Sequence, residues 1–262
     1  MMLATPTLMP VEAAFATVRR RQGAEGMRGL APGLLVPEGA VDWWPAANLL
    51  HGDTGLDLDR LLGAAASRWG ASPHAAAALA WRSYTYWLSL PVILGWAVAR
   101  RVLLVHPDDV QLRFGGEQQL LQVGMRRLRW AVLPDDPLAG AAAGGELTVV
   151  GSESELLGVL RASLRESHLD PLLTEVQHRV RLGSRPLWGS LASAVAYAVI
   201  RGVEGSAETL LDTAGRLLSA LDLTNLVSID DGPEGLAVRR HTCCLAFTLP
   251  KPKVCASCCL RG

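Results

Sequence analysis

The first 242 residues of this chain contain no cysteine, and the whole chain contains only two lysines, Lys251 and Lys253. A cysteine-free body excludes both a disulfide framework and a thiolate metal site there. Net charge is absent too: 25 basic residues balance 25 acidic ones, so there is no global pull toward nucleic acid or an anionic membrane. The longest apolar run, residues 88–99, is too short to cross a bilayer and is interrupted by Pro91. Residues 1–10 lack the basic start and apolar run of a secretory signal, which gives the expectation of a cytoplasmic protein. Neither G-x-G-x-x-G nor G-x-x-x-x-G-K-[ST] occurs, so sites for NAD, FAD or ATP have no support. The G-x-S-x-G elbow and the S-x-x-K motif are missing as well, which removes the hydrolase readings.

What is present is a body that is 50% hydrophobic over 262 residues, enough for one large domain or two small ones. A helix is expected over residues 11–22, followed by a long Pro/Gly-rich connection through Trp43 and Trp44. Asp57 and Asp59 open a helix with Leu58, Leu61, Leu62, Ala65 and Trp69 on one face. Ser72 and Pro73 suit the cap and first position of the next helix, which runs toward Trp87 until Pro91 kinks or ends it. Residues 110–114 and 118–123 flank Gly115 and Gly116 as a hairpin, and residues 128–133 add a strand. The acidic residues 134–137 and the Ala/Gly run to Gly145 read as a flexible loop. Beyond it, Ser152 and Glu155 form a capping box ahead of Leu156, Leu157, Leu160 and Leu164. Residues 187–201 form a buried helix, and Leu210, Leu211, Ala214, Leu217, Leu218 and Leu221 mark an amphipathic one. Residues 236–249 alternate loosely, as a strand would. The expected fold is α+β and mainly α-helical: a helical body, a small antiparallel sheet in the middle and a C-terminal cysteine-rich hairpin or loop. The divisions are residues 1–145, 146–235 and 236–262, or one continuous domain.

All five cysteines crowd the C-terminus as Cys243-Cys244, ten residues, Cys255, two residues, Cys258, then Cys259. Clustered thiolates in an otherwise cysteine-free chain point to a soft metal site. Cys243, Cys244, Cys255 and Cys258 supply the four ligands that a [2Fe–2S] cluster needs. Neighbouring residues point to opposite sides of a strand, so the vicinal pair can chelate one ion only if the backbone turns there. Two irons relax that demand. A structural zinc site usually has two spaced knuckles, and here one has no spacer, so spacing favours iron–sulfur over zinc. A disulfide between vicinal thiols is the third reading.

The CC-x10-C-x2-C tail resembles the C-terminal signature of the FhuF-like ferric-siderophore reductases. The likeness extends to Arg239-Arg240-His241-Thr242 before the first pair, to Leu245 after it, and to residues 185–192, Arg-Pro-Leu-Trp-Gly-Ser-Leu-Ala. The first 150 residues are similar only in style, and Cys259 is an addition to the motif. The resemblance implies a [2Fe–2S] cluster on Cys243, Cys244, Cys255 and Cys258. It also implies an enzyme that reduces an imported ferric siderophore, of hydroxamate type, by one electron and so releases its iron. The absence of nucleotide motifs implies an external electron donor, a ferredoxin or a flavin- or NAD(P)H-dependent reductase. Arg239, Arg240, Lys251 and Lys253 would raise the cluster potential and attract an acidic donor or an anionic ferric complex. The competing readings are a non-catalytic chain with a structural zinc tail and an iron–sulfur carrier or sensor without a siderophore site.

Other candidates carry less. None of the six histidines pairs with another at metal-binding spacing, and His241 reads as a surface residue or a hydrogen-bond donor near the cysteines. Trp81, Tyr84, Tyr86, Trp87 and Trp96 crowd one helix; they could line a pocket for a bulky siderophore, but aromatics on a helix more often read as core, and Arg82 among them hints at a cavity for an anion. His106-Pro107-Asp108-Asp109 reads as ordinary turn chemistry.

Overall fold

The computed structural model describes residues 4–22, 27–50, 56–115, 119–140, 146–232, 235–255 and 257–260. Its seven described α-helices are α1 (Ala4–Gln22), α2 (Leu56–Trp69), α3 (Pro73–Ala99), α4 (Glu153–Leu160), α5 (Asp170–Arg179), α6 (Ser184–Gly202) and α7 (Ala207–Ala220). A nine-residue π-helical stretch, Arg161–Leu169, joins α4 to α5. The fold is α+β and mainly helical. Among the described residues, no helix is long and apolar enough to cross a membrane.

The central helix is α3. The Ser72 hydroxyl accepts from the Ala75 amide and Pro73 takes the first turn, which starts the helix where the sequence predicts. Of the two expected outcomes, Pro91 does not end the helix: α3 continues to Ala99, where Arg100 closes it in a left-handed conformation. Residues Leu88 to Trp96 are buried, and that apolar burial outweighs the roughly 3 kcal/mol cost of a proline inside a helix. The capping box before α4 also forms: Ser152 Oγ accepts from Glu155 N at 3.2 Å, while Glu155 Oε2 accepts from Gly151 N at 2.8 Å.

The sheet expected in the middle is present as two small mixed sheets. In one, β1 (Leu30–Leu35), β5 (Leu121–Met125), β4 (Val110–Phe114) and β2 (Trp44–Pro45) lie in that order, with β1 parallel to β5. The β4–β5 pair is the expected hairpin, in the register Phe114↔Leu121; Gly116 and Gln118 in its turn lie outside the described residues. In the other, β6 (Trp130–Val132) pairs antiparallel with β3 (Val102–Leu103) and parallel with β7 (Leu147–Val149). The acidic stretch 134–137 is anchored: Asp136 pairs with Arg101 at 2.7 Å, both nearly buried, while residues 141–145 lie outside the described set. Asp109 is buried and pairs with Arg127 and Arg129, so the His106–Asp109 segment is structural.

One apolar core runs from Val11 to Val238 and takes in both halves of the chain. Its central contact is α3 against α6. A final antiparallel hairpin, β8 (Val227–Gly232) with β9 (Gly235–Arg240), leads into the cysteine tail. The strand expected over residues 236–249 is shorter than the pattern implied: β9 stops at Arg240, before the first cysteine.

Candidate cluster-binding site and adjoining cleft

Because β9 ends at Arg240, Cys243 and Cys244 lie outside any strand and the backbone bends around them. Leu245 adopts φ 60°, and its N–H turns back to donate to Cys243 Sγ at 3.3 Å. On the other knuckle, Cys258 N donates to the Cys255 carbonyl at 3.1 Å. Leu260 N donates to Cys258 Sγ at 3.5 Å. Amide donors on two sulfurs favour thiolates and tune a metal bound to them.

The tail docks on the helical body through specific residues. Arg240 N bonds the Ser257 carbonyl at 3.0 Å, which ties the second knuckle to the end of β9. Thr242 packs where Gly189 of α6 has no side chain, and a Cβ at that glycine would overlap its hydroxyl. Arg240 Nη2 donates to Ser190 Oγ at 2.9 Å and reaches the Pro186 carbonyl at 3.5 Å. Trp81 of α3 donates to the Leu187 carbonyl at 2.8 Å. Residues 186–190 thus form the platform that holds the tail. A small second core, made of Ala75, Leu79, Cys244, Ala246 and Leu249, seals the tail onto the start of α3.

The sulfurs share one neighbourhood. Cys244 and Cys258 are buried; Cys243, Cys255 and Cys259 are partly exposed, and none is in a disulfide. Arg82 Nη1 points at Cys244 Sγ, 3.9 Å away. Arg240 is 2% exposed, and its Nε and Nη1 are buried without a hydrogen-bond partner. Burial holds the Arg240 guanidinium below its ordinary value, although negative charge on Cys244, Cys255 and Cys243 pulls it back up. Burial raises the Cys259 thiol, as do the charges of Cys243 and Cys258 and a hydrogen bond with Cys243. Among the described residues, no three Cys, His, Asp or Glu side chains converge on one point where a single metal ion could sit. The donor set still fits a thiolate-held group: four soft sulfurs, two amide donors aimed at them and a buried cation with two unused N–H groups.

His241 is exposed; its Nδ1 lies 3.2 Å from the Asn225 carbonyl and faces no sulfur. Lys251 and Lys253 are exposed on the tail, and Arg239 pairs with Asp230 at 3.5 Å. Of the crowded aromatics, Trp81, Tyr84 and Trp96 are core. Tyr86 and Trp87 instead face an open cleft of about 480 Å³ between α3 and α6, beside Arg82. The cysteine tail borders the same cleft through Arg240, Cys255 and Ser257.

Sequence reasoning missed the α6 side of this cleft. Ser190, Ser193, Ala194, Tyr197 and Arg201 line it, and the Arg201 guanidinium lies 4.1 Å from the Tyr197 ring centre. Their spacing of three and four was a visible signal: a small and polar stripe along an otherwise apolar helix. Trp69, at the end of α2, completes the wall.

No protein-family model matches the chain, and no curated protein is significantly similar to it.

Proposed function

We propose that this is a cytoplasmic enzyme that reduces ferric siderophores by one electron and holds a [2Fe–2S] cluster on Cys243, Cys244, Cys255 and Cys258. The observation that carries the reading is that Cys255 belongs both to the cysteine site and to the wall of the arginine- and aromatic-lined cleft. A ligand bound there would lie beside the sulfurs. When bound, the cluster supplies electrons one at a time. The chain's own groups do the rest. Arg82 and Arg240 offset the negative charge of the sulfurs, and the Leu245 and Leu260 amides donate to two of them. The half-buried rings of Trp69, Tyr86, Trp87 and Tyr197 offer faces to a bulky chelate. Hard oxygen donors hold Fe(III) far more tightly than Fe(II), so one electron delivered to the substrate iron loosens the complex. The donor of that electron is a separate ferredoxin or flavin-dependent reductase.

The test is a single turnover. Dithionite-reduced protein, freed of dithionite, is mixed anaerobically with a panel of ferric siderophores and a chromogenic Fe(II) chelator. The proposal expects about one Fe(II) captured per chain, and none with Cys244→Ser. An iron-loaded protein that reduces no member of the panel would instead be an electron carrier or sensor.

A further inference from the structure

We propose that the cleft between α3 and α6 selects a trianionic ferric complex with aromatic chelating arms, a tris-catecholate, over a neutral tris-hydroxamate. The inference rests on the reductase reading and departs from the hydroxamate expectation. Three arginines, Arg82, Arg201 and Arg240, line the cleft, and among the described residues no carboxylate does. None of the three has a carboxylate partner among the described residues, whereas arginines elsewhere on the surface, such as Arg20 and Arg179, are paired. Guanidinium groups without a carboxylate partner beside one concavity raise the local concentration of anions.

The three differ in what else they serve. Arg82 and Arg240 also face the cysteine sulfurs, so part of their charge offsets thiolate charge. Arg201 contacts no sulfur among the described residues; it lies over the Tyr197 ring. Its charge therefore remains for the occupant of the cleft. The walls match the second half of the ligand: Trp69, Tyr86, Trp87 and Tyr197 line the cleft and are half-buried, an aromatic lining against which catechol rings pack. Three hydroxamates on Fe(III) form a neutral complex with aliphatic arms and use neither feature. Three catecholates leave the complex trianionic and aromatic.

The experiment uses Ga(III) complexes, which copy the charge and size of the ferric ones but accept no electron. Full-length protein as purified is titrated with gallium tris-catecholate and with gallium tris-hydroxamate, read by quenching of Trp69 and Trp87 fluorescence at low and moderate salt. The expected result is at least about tenfold tighter binding of the catecholate, weakening steeply with salt. A loss of about tenfold is expected in Arg201→Gln. The wild-type salt series stands by itself should that variant fold poorly. Equal binding of both complexes, or a catecholate affinity indifferent to salt, overturns the selectivity; so does binding of neither. Iron content and single-turnover reduction on the same preparation decide the reductase reading separately. A preparation that reduces hydroxamate and catecholate complexes equally well refutes only this inference. A colourless one that still prefers the catecholate supports the cleft and refutes the reductase.

Discussion

Gly189 on α6 leaves the space that the Thr242 hydroxyl occupies, and a Cβ at that position would overlap it. The contact joins the middle of the chain to the residue directly before Cys243. It accounts for a glycine in a helix interior, where alanine would otherwise be favoured by about 1 kcal/mol. Gly189→Ala should displace the tail at a cost of about 1–3 kcal/mol. The expected signature is a large loss of bound iron with a small change in helical circular dichroism. Full iron content in that variant would show that the contact does not seat the cysteines.

Arg240 is a buried cation beside the sulfurs. Replacing it with glutamine removes positive charge that favours the more negative, reduced state. The reduction potential of Arg240→Gln should fall by on the order of 50 mV relative to wild type, measured by EPR-monitored titration at equal iron content. An unchanged potential would mean that the cysteine charge is offset elsewhere.

Tyr84 and His168 form a buried pair away from the cleft, with the Tyr84 hydroxyl 2.5 Å from His168 Nε2. His168 Nδ1 lies 2.7 Å from the Val105 carbonyl, so it must carry the proton, and Tyr84 donates to Nε2. Burial lowers the His168 pKa to about 4, against the pull of the Val105 carbonyl. The unfolded chain, with an ordinary histidine near 6.5, therefore binds more protons between these values. Stability should fall by about 3 kcal/mol as pH drops through that window from this residue alone, with no further loss below it. Urea unfolding at pH 7 and pH 4.5 should show a shallower pH dependence in His168→Gln than in wild type. Equal dependence would contradict the assignment.

Ser72 caps α3, the helix that carries Arg82, Tyr86 and Trp87. Ser72→Ala should lower global stability by about 1 kcal/mol, read as a shift in the urea midpoint, with iron content unchanged. Loss of iron without loss of stability would place the cap in the site and not in the fold.

Local chemistry was legible in the sequence. The Ser72-Pro73 start and the Ser152/Glu155 box each depend on a few adjacent residues and form as expected; the β4–β5 hairpin forms too, but its second strand begins at Leu121 and not at residue 118. Pro91 did not settle where the helix ends, because the cost it imposes is local while the burial that offsets it is tertiary. The loose alternation after Leu236 was read too far, since the tail satisfies its backbone through sulfur contacts and a link to Ser257. The cysteine set was visible as spacing. The α3 side of the cleft was hinted at by Arg82 among the aromatics, but the whole was not legible, because Arg82, Arg201 and Arg240 come from three separated segments and meet only once α6 packs on α3 and the tail folds over both.

The central claim is that the tail holds a [2Fe–2S] cluster. Its most direct test is the visible and EPR spectrum of anaerobically purified protein, with iron, sulfide and zinc counted, before and after dithionite. The account predicts a brown protein with about two irons and two sulfides per chain that becomes paramagnetic on reduction. It also predicts loss of the cluster on substitution of Cys243, Cys244, Cys255 or Cys258 by serine and its retention in Cys259→Ser. A colourless protein carrying one zinc would contradict it.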